Sequence, residues 1–185
     1  TEKSSSMGRL FDAVSALLGI REYNSYEGEC AIALENAAAR AIEKNAAPPE
    51  FSFPIREEEE ILLADRKEVI RKIFRETRAA KTWYKEEERA EALALGFHEA
   101  VSCMVLEMCR RIRERFHEDK VALSGGVFAN VILQERCRSL LEEQGFRVYV
   151  NEQVPGNDGG IALGQAWLAA ERLMDEKDRG GQICV

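Results

Sequence analysis

The chain has 185 residues, of which 45% are hydrophobic and 32% are charged, and its formal net charge is -7. This composition is typical of a globular domain and argues against a disordered chain or a membrane protein with spans of about 20 apolar residues. The acidic balance argues against a nucleic-acid partner, because neutralising phosphates requires a basic face. We therefore expect one domain, or one lobe of a larger domain, with neither membrane nor nucleic acid among its partners.

The N-terminal 47 residues are predicted to be helical. Hydrophobic residues over 7–18 have helical spacing, with Ser5 or Ser6 as N-cap and Gly19 as the stop. A second, alanine-rich helix is predicted over 27–44, ahead of a linker at Pro48 and Pro49. We expect an α/β core over 48–185.

This core begins with a predicted hairpin and continues with helices. Short apolar runs at 51–55 and 61–65 flank an acidic run at 56–60, which we interpret as a solvated turn. A helix is predicted over 66–75. A longer one is predicted over 86–117, where a stripe of large apolar residues recurs every three or four positions and Gly96 is a candidate kink.

The last third of the chain alternates strands and helices. Strands are predicted at 120–124 and 146–150, helices at about 128–144 and 159–173, and a loop at 151–158. Strands that alternate with helices of this length indicate βαβ units and a parallel sheet. The predicted fold class is therefore α/β.

Both βα turns of this region are rich in glycine. Ser124, Gly125 and Gly126 follow the first strand, and "VPGNDGG" follows the second. Glycine permits positive φ and close approach of a ligand, and a helix that begins there offers free N–H groups to an anion. We expect the two turns to form one cleft that binds a ligand. The alternative is that the glycines are present only because the backbone of a βα turn requires them.

The five cysteines never occur as Cys-x-x-Cys, so neither a disulfide framework nor a zinc site is predicted. Reduced thiols and the absence of a leader-like segment favour a cytoplasmic protein. Cys184 is either a reactive thiol or a tail residue without a role.

Five motifs in order resemble one family. "SSMGRLFDAVSALLG", "SYEGECA", "FHEAV", "VALSGGVFAN" and "VPGNDGGIALGQA" resemble the C-terminal carbamoyltransferase domain of HypF, a hydrogenase maturation family. The resemblance is weakest over 47–90 and after Arg172. It implies one lobe of the sugar kinase/actin ATPase-like (RNase H-like) fold. The order Asn-Asp-Gly-Gly is similar to HypF rather than to the related tRNA-modifying enzymes, whose motif reads Asp-Asn-Gly.

The resemblance also implies roles for single residues. Asp12 would accept hydrogen bonds from the ribose hydroxyls of ATP, with Glu27 and Gly28 beside it. Asn130 would contact the nucleotide, and Asp158 would be one ligand of a divalent metal. Each has a structural alternative: Asp12 as a residue that complements the helix dipole, Asn130 as a polar residue of a first helical turn, and Asp158 as an N-cap.

The resemblance implies a reaction as well. A carbamoyl group, delivered as carbamoyl-adenylate made from ATP and carbamoyl phosphate, would pass to the C-terminal cysteine thiolate of a HypE-like acceptor, with a metal as Lewis acid. The His-x-x-x-His metal ligands of the family, which lie in a preceding lobe, have no counterpart here. His98 is interpreted as a core histidine that supports the cleft floor, and His117 as a surface residue.

The missing lobe leads to three further expectations. Because the chain starts at Thr1, we interpret it as a piece of a longer protein or as one half of a split protein. The alternative to an enzyme lobe is a non-catalytic lobe that binds nucleotide or a partner protein. The face that a first lobe would cover is expected to be partly apolar, and a dimer of the isolated chain is a hypothesis that follows.

Overall fold

Helices dominate the computed structural model, which describes residues 5–78 and 86–178, and the longest of them lies at its centre. The elements follow in chain order: α1 (Met7–Leu17), α2 (Glu29–Glu43), β1 (Ile55–Glu58), β2 (Ile61–Ala64), α3 (Arg66–Arg78), α4 (Glu86–Phe116), β3 (Lys120–Leu123), α5 (Val131–Glu143), β4 (Arg147–Val150) and α6 (Ile161–Asp178).

The two N-terminal helices are confirmed. The side chain of Ser6 caps α1 by accepting a hydrogen bond from the Arg9 N–H, and Gly19 follows the helix with a φ of 68°. Helix α2 begins two residues later than predicted. Gly28 adopts a φ of 81°, which is outside helical geometry, and it is therefore the N-cap of α2.

The hairpin is confirmed and its second strand lies where it was predicted, but its first strand is displaced. The acidic run is mostly strand, since β1 contains Glu57 and Glu58, and only Glu59 and Glu60 form the turn, with φ values of 48° and 69°. Positive φ at both central residues is the geometry of a two-residue hairpin turn. The displacement arises because the strand residues after Ile55 are exposed on both faces, so no apolar alternation marks them.

Helix α4 carries the core. The predicted stripe is buried at Leu93, Phe97 and Val101, and α2 packs along it. Contrary to the sequence expectation, α4 is long and apolar enough to span a membrane, the one such helix among the described residues. Its burial explains this length and apolar composition, because a helix at the centre of a protein core has both properties.

The helix continues through Gly96, where a Cβ atom would lie 2.5 Å from the Pro49 carbonyl oxygen. The glycine thus lets the segment before β1 cross α4 closely.

The predicted βα units are present, with later helix starts. Strands β3 and β4 pair in parallel, with Val121 opposite Val148, and form a sheet separate from the β1–β2 hairpin. Short 3-10 turns, Gly126–Ala129 and Asp158–Gly160, precede α5 and α6. Flexible glycines permit this tighter turn where a longer helix was predicted.

Candidate nucleotide site

An open cavity of about 880 Å³ lies where α1, α2 and the turns after β3 and β4 meet. Of the eight residues that the sequence singles out, six line this cavity: Asp12, Glu27, Gly28, Gly126, Asn130 and Asp158. Residues that are up to 146 positions apart, from 12 to 158, therefore share one space. Ser124 and Gly125 do not line it.

Ser124 and Gly125 instead join the two glycine-rich turns. The Gly125 N–H donates to the Gly156 carbonyl oxygen over 2.7 Å. The Ser124 hydroxyl donates to the same oxygen over 3.4 Å. The parallel pairing of β3 and β4 places both turns at one edge of the sheet, and these bonds hold them together. The prediction that the turns form one cleft is confirmed.

Asp12 brings an unsatisfied carboxylate oxygen to the cavity. Its Oδ1 atom is buried and has no hydrogen-bond partner among the described residues. The neighbouring Phe11 is 1% exposed and packs edge-on against Phe97 of α4, which fixes this turn of α1. A buried, unpaired carboxylate oxygen is costly unless a ligand donates to it. Asp12 is therefore placed and prepared to accept a hydrogen bond from a bound molecule.

The loop before α2 is held by Glu29, which sequence reasoning missed. This buried carboxylate accepts hydrogen bonds from the Ser25 N–H at 2.6 Å and the Ser25 hydroxyl at 2.7 Å, and it pairs with Arg21. The Ser25 backbone contact is the main reason why the pKa of Glu29 is lowered. The Asn24 side chain accepts from the Cys30 N–H at 2.7 Å. These contacts hold Gly28 at the cavity wall.

Asn130 is the N-cap of α5, so the structural alternative that it lies in the first turn of that helix is wrong. Its Oδ1 accepts from the Leu133 N–H at 2.8 Å, and its Nδ2 lies 2.9 Å from His98 Nε2. The Val131 N–H is bound by Glu35 of α2 at 2.7 Å. His98 is 1% exposed, as expected of a core histidine, and His117 is exposed, as expected of a surface one.

Asp158 lines the cavity and does not cap the helix that follows. Asn157 takes the capping role, because its side chain accepts from the Gly159 N–H at 3.0 Å. A hard divalent cation needs about six oxygen ligands. No cluster of three or more His, Cys, Asp or Glu side chains suited to a metal occurs within residues 5–78 and 86–178. Asp158 therefore supplies at most one carboxylate, and the described residues do not form a metal site by themselves.

The cavity is acidic at its wall. Carboxylates of Asp12, Glu27, Glu35 and Asp158 line it, and Arg9 is the one cation among the described lining residues. Arg9 lies one helical turn before Asp12, so helical spacing alone could have identified it. Glu35 contacts a residue 96 positions away, and no local pattern signals that.

The chain is similar to known proteins over most of its length. Residues 1–165 match the family described as "Carbamoyltransferase, Kae1-like Domain, second subdomain". Carbamoyltransferase HypF of Rhodobacter capsulatus is 34% identical over 178 residues, which cover 92% of this chain and 20% of that protein. A tRNA N6-adenosine threonylcarbamoyltransferase of Methanopyrus kandleri is 30% identical over 84 residues, 45% of this chain and 24% of that protein.

One solved structure is similar over nearly the whole chain. The crystal structure of full-length HypF in its phosphate- and nucleotide-bound form superposes with a TM-score of 0.78 at 34% identity, and the match covers 91% of this chain and 21% of that one. The chain thus spans about a fifth of the length of the relatives it matches.

Proposed function

Because the chain belongs to the HypF carbamoyltransferase family, we propose that it forms the nucleotide-binding lobe of a carbamoyltransferase that acts in hydrogenase maturation. The observation that carries the proposal is the buried Oδ1 of Asp12, which has no partner within the described part of the chain and lies on a cavity wall shared with Gly28 and Asn130. A ribose supplies the hydroxyl donors that this oxygen lacks. The nucleotide-bound state of the similar full-length HypF supports the same assignment.

The proposed reaction moves a carbamoyl group from carbamoyl-adenylate to a thiolate of a HypE-like acceptor. The sulfur attacks the carbamoyl carbon, a C–S bond forms, and the C–O bond to the adenylate phosphate breaks. AMP leaves with the electron pair. In this scheme Asp12 holds the ribose and Gly28 lets the nucleotide approach the start of α2, so that the carbamoyl carbon is presented to the acceptor.

The cysteines of this chain fit a scheme in which the acceptor brings its own sulfur. Burial raises the pKa of every thiol in the described residues, and that of Cys137 reaches about 11. A thiol with a raised pKa is mostly protonated at neutral pH and is a poor nucleophile. We therefore assign none of Cys30, Cys103, Cys109 and Cys137 to the chemistry; Cys184 lies outside the described residues.

The acidic cavity wall disfavours the binding of the nucleotide phosphates. Carboxylates repel a polyphosphate, and Arg9 alone does not offset them. We propose that a divalent cation enters with the nucleotide, with Asp158 as one of its ligands and the others from outside this chain. The binding of ATP is therefore expected to depend on magnesium.

Calorimetric titration of magnesium–ATP into the wild-type chain and the Asp12→Asn variant tests the proposal. Asparagine keeps the shape and removes the charge, so the ribose hydroxyls lose a charge-assisted acceptor worth about 1.5–3 kcal/mol. We expect affinity to fall by about tenfold to a hundredfold. Dideoxy-ATP, which lacks both ribose hydroxyls, should bind the two proteins equally.

The matched control is Glu114→Gln, the same loss of charge on an exposed residue of α4 that does not line the cavity. Its affinity for ATP should equal that of the wild type. Absence of saturable binding, or equal affinity of wild type and Asp12→Asn, would contradict the proposed function.

A further inference from the structure

We propose that His98 is a positioning residue of the cavity: its neutral imidazole fixes the side-chain amide of Asn130, and protonation of His98 releases that amide. The inference rests on the proposed function, since it concerns a residue on the wall of the proposed nucleotide cavity. It assigns a function to a histidine that does not itself line the cavity, through a hydrogen bond that joins α4 to the N-cap of α5.

The hydrogen-bond partners determine the tautomer. His98 Nδ1 lies 2.8 Å from the Ala94 carbonyl oxygen, which only accepts, so Nδ1 carries the hydrogen. Nε2 then bears a lone pair and accepts from Asn130 Nδ2 at 2.9 Å. This orients Asn130 Oδ1 toward the Leu133 N–H at 2.8 Å. Each of the three bonds has one donor and one acceptor, and the amide can point only one way.

Protonation breaks this chain of bonds. An imidazolium donates from both nitrogens, so its Nε2–H would face the amide N–H of Asn130. Turning the amide over would satisfy His98, but it would set an N–H against the Leu133 N–H and remove the cap of α5. Either arrangement loses one of two buried hydrogen bonds. The amide is therefore fixed only while His98 is neutral.

The surroundings of His98 favour the neutral form. The ring is 1% exposed and lies edge-on to Phe11 of α1, at 5.2 Å between ring centroids. Burial is the main reason why the pKa of His98 is lowered; the Ala94 carbonyl and Glu99 act in the opposite direction. Glu99, on the same helix, is the one charged group among the described residues that acts on the ring, and Arg136 of α5 binds it at 2.8 Å.

While it is bound to His98 and Leu133, the Asn130 side chain can still form hydrogen bonds to a ligand. Its amide has two N–H groups and its oxygen has two lone pairs, and the contacts to His98 and Leu133 use one of each. The remaining N–H and lone pair belong to a side chain on the cavity wall. An amide that is fixed before binding donates and accepts without first losing rotational freedom.

Titration of magnesium–ATP into wild type, His98→Gln and His98→Leu between about pH 7.5 and pH 5.5 tests the proposal. Glutamine offers an amide acceptor that does not titrate in this range, whereas leucine offers none. At the upper pH we expect His98→Gln to bind within about threefold of wild type and His98→Leu about tenfold more weakly. At the lower pH wild type should lose about threefold more affinity than His98→Gln, because the lowered pKa of His98 keeps part of the ring neutral there. Protonation of the ATP phosphates is common to all three proteins and cancels in this difference.

The second histidine provides an internal control. His117 is exposed, so His117→Gln should leave the pH profile of wild type unchanged. Nitrogen NMR of the imidazoles should show His98 as the Nδ1–H tautomer at neutral pH, and the Asn130 side-chain amide signals should shift in step with those of His98 as the pH falls. This readout needs no nucleotide.

The ATP titration and the NMR measurement distinguish failure of the proposed function from failure of the inference about His98. If no protein binds ATP, the proposed function fails, and NMR alone decides whether His98 holds Asn130. If ATP binds and His98→Gln follows the wild-type pH profile, or if His98 is the Nε2–H tautomer, the inference about His98 is wrong.

Discussion

Glu91 is a buried carboxylate whose partners reach it from one neighbouring helix. Its side chain, 2% exposed on α4, accepts hydrogen bonds from Arg40 Nε at 2.7 Å and Lys44 Nζ at 2.6 Å, both from α2. Burial by itself raises the pKa of Glu91, but the hydrogen bonds from Lys44 and Arg40 and their positive charges outweigh it, so the net pKa is lowered. The ionised form of Glu91 therefore joins the helix that begins at the cavity wall to the central helix.

Replacing Glu91 with glutamine should destabilise the fold by about 1–3 kcal/mol, because a buried acceptor of two charged donors becomes a neutral amide. Wild type should also lose stability in acid. The carboxylate titrates at about 4.3 in the unfolded chain and lower in the folded one, so its contribution is complete above that pH and is lost as pH falls through the lowered folded pKa. Urea denaturation across this range measures both effects.

Glu142→Gln is the control for this prediction. Glu142 forms an exposed pair with Arg138 on α5, and such pairs contribute about 0.2–1 kcal/mol. The variant should be nearly as stable as wild type. Equal destabilisation of the two variants, or an unchanged acid response in Glu91→Gln, would mean that the buried carboxylate does not join the helices as described.

At the level of helices, alanine substitutions at two glycines test whether close packing or helix propensity determines the change in stability. Gly96 of α4 faces the Pro49 carbonyl, 2.5 Å from where a Cβ would lie, and the Phe51 ring at 3.1 Å. Gly164 of α6 has no atom within 4 Å of its Cβ position. Alanine is favoured over glycine in a helix by about 1 kcal/mol. We expect Gly164→Ala to stabilise α6 of the monomeric chain by up to that amount, because no described atom of the same chain crowds the added methyl group.

Gly96→Ala should instead destabilise the protein by about 1–3 kcal/mol, since the added methyl group collides with a backbone carbonyl that cannot rotate away. Chemical denaturation of both variants, with helix content followed by circular dichroism, gives the comparison. A Gly96→Ala variant as stable as wild type would show that the segment containing Pro49 shifts easily, and that this crossing does not fix the start of β1.

The helices and strands that sequence reasoning identified are those whose pattern is local. Sequence reasoning located α1 and α4 from helical spacing, and α2 from an alanine-rich run that ends before Pro48. It misplaced β1, because exposed glutamates carry no alternation, and it extended two helices over glycine-containing turns that wind as 3-10 helix. The bonds that hold the cavity in place join residues distant in sequence: His98 to Asn130 spans 32 positions and Glu35 to Val131 spans 96. The two partners of each bond lie in different elements, so a pattern within a single helix cannot reveal the bond.

At the scale of the whole chain, motifs predicted which residues share the cavity because both βα turns end at one edge of a parallel pair of strands. Asp12 and Gly28 lie in α1 and α2, and the resemblance of their motifs linked them to the same site. Asn24 and Glu35 were missed, since their place on the cavity wall depends on how α2 and the loop before it pack. Arg9 was missed although its helical spacing from Asp12 could have identified it. The sequence was therefore sufficient to predict the fold class and most residues of the cavity. The contacts that hold those residues in place could be identified only from the three-dimensional structure.

Helix α6 carries large apolar side chains that nothing in the described part of the chain covers. Its side chains over 161–174 are exposed, including Leu163, Trp167 at 66%, Leu173 and Met174. Leu163, Trp167 and Met174 recur at helical spacing and lie along one face. Its 18 residues extend over about 27 Å. A face of this kind on a soluble chain is usually covered by a partner.

We propose that a second copy of this chain covers α6 in solution, as expected for a lobe with an uncovered apolar face. Trp167→Glu places a charge at the centre of that face and should convert a dimer to a monomer at tens of micromolar protein, measured by sedimentation velocity. Phe116→Glu is the matched control, because Phe116 is 64% exposed at the end of α4 and lies outside α6. It should leave the dimer unchanged. A wild-type chain that sediments as a monomer, or a Phe116→Glu variant that dissociates as Trp167→Glu does, would show that the α6 face does not bind a second copy.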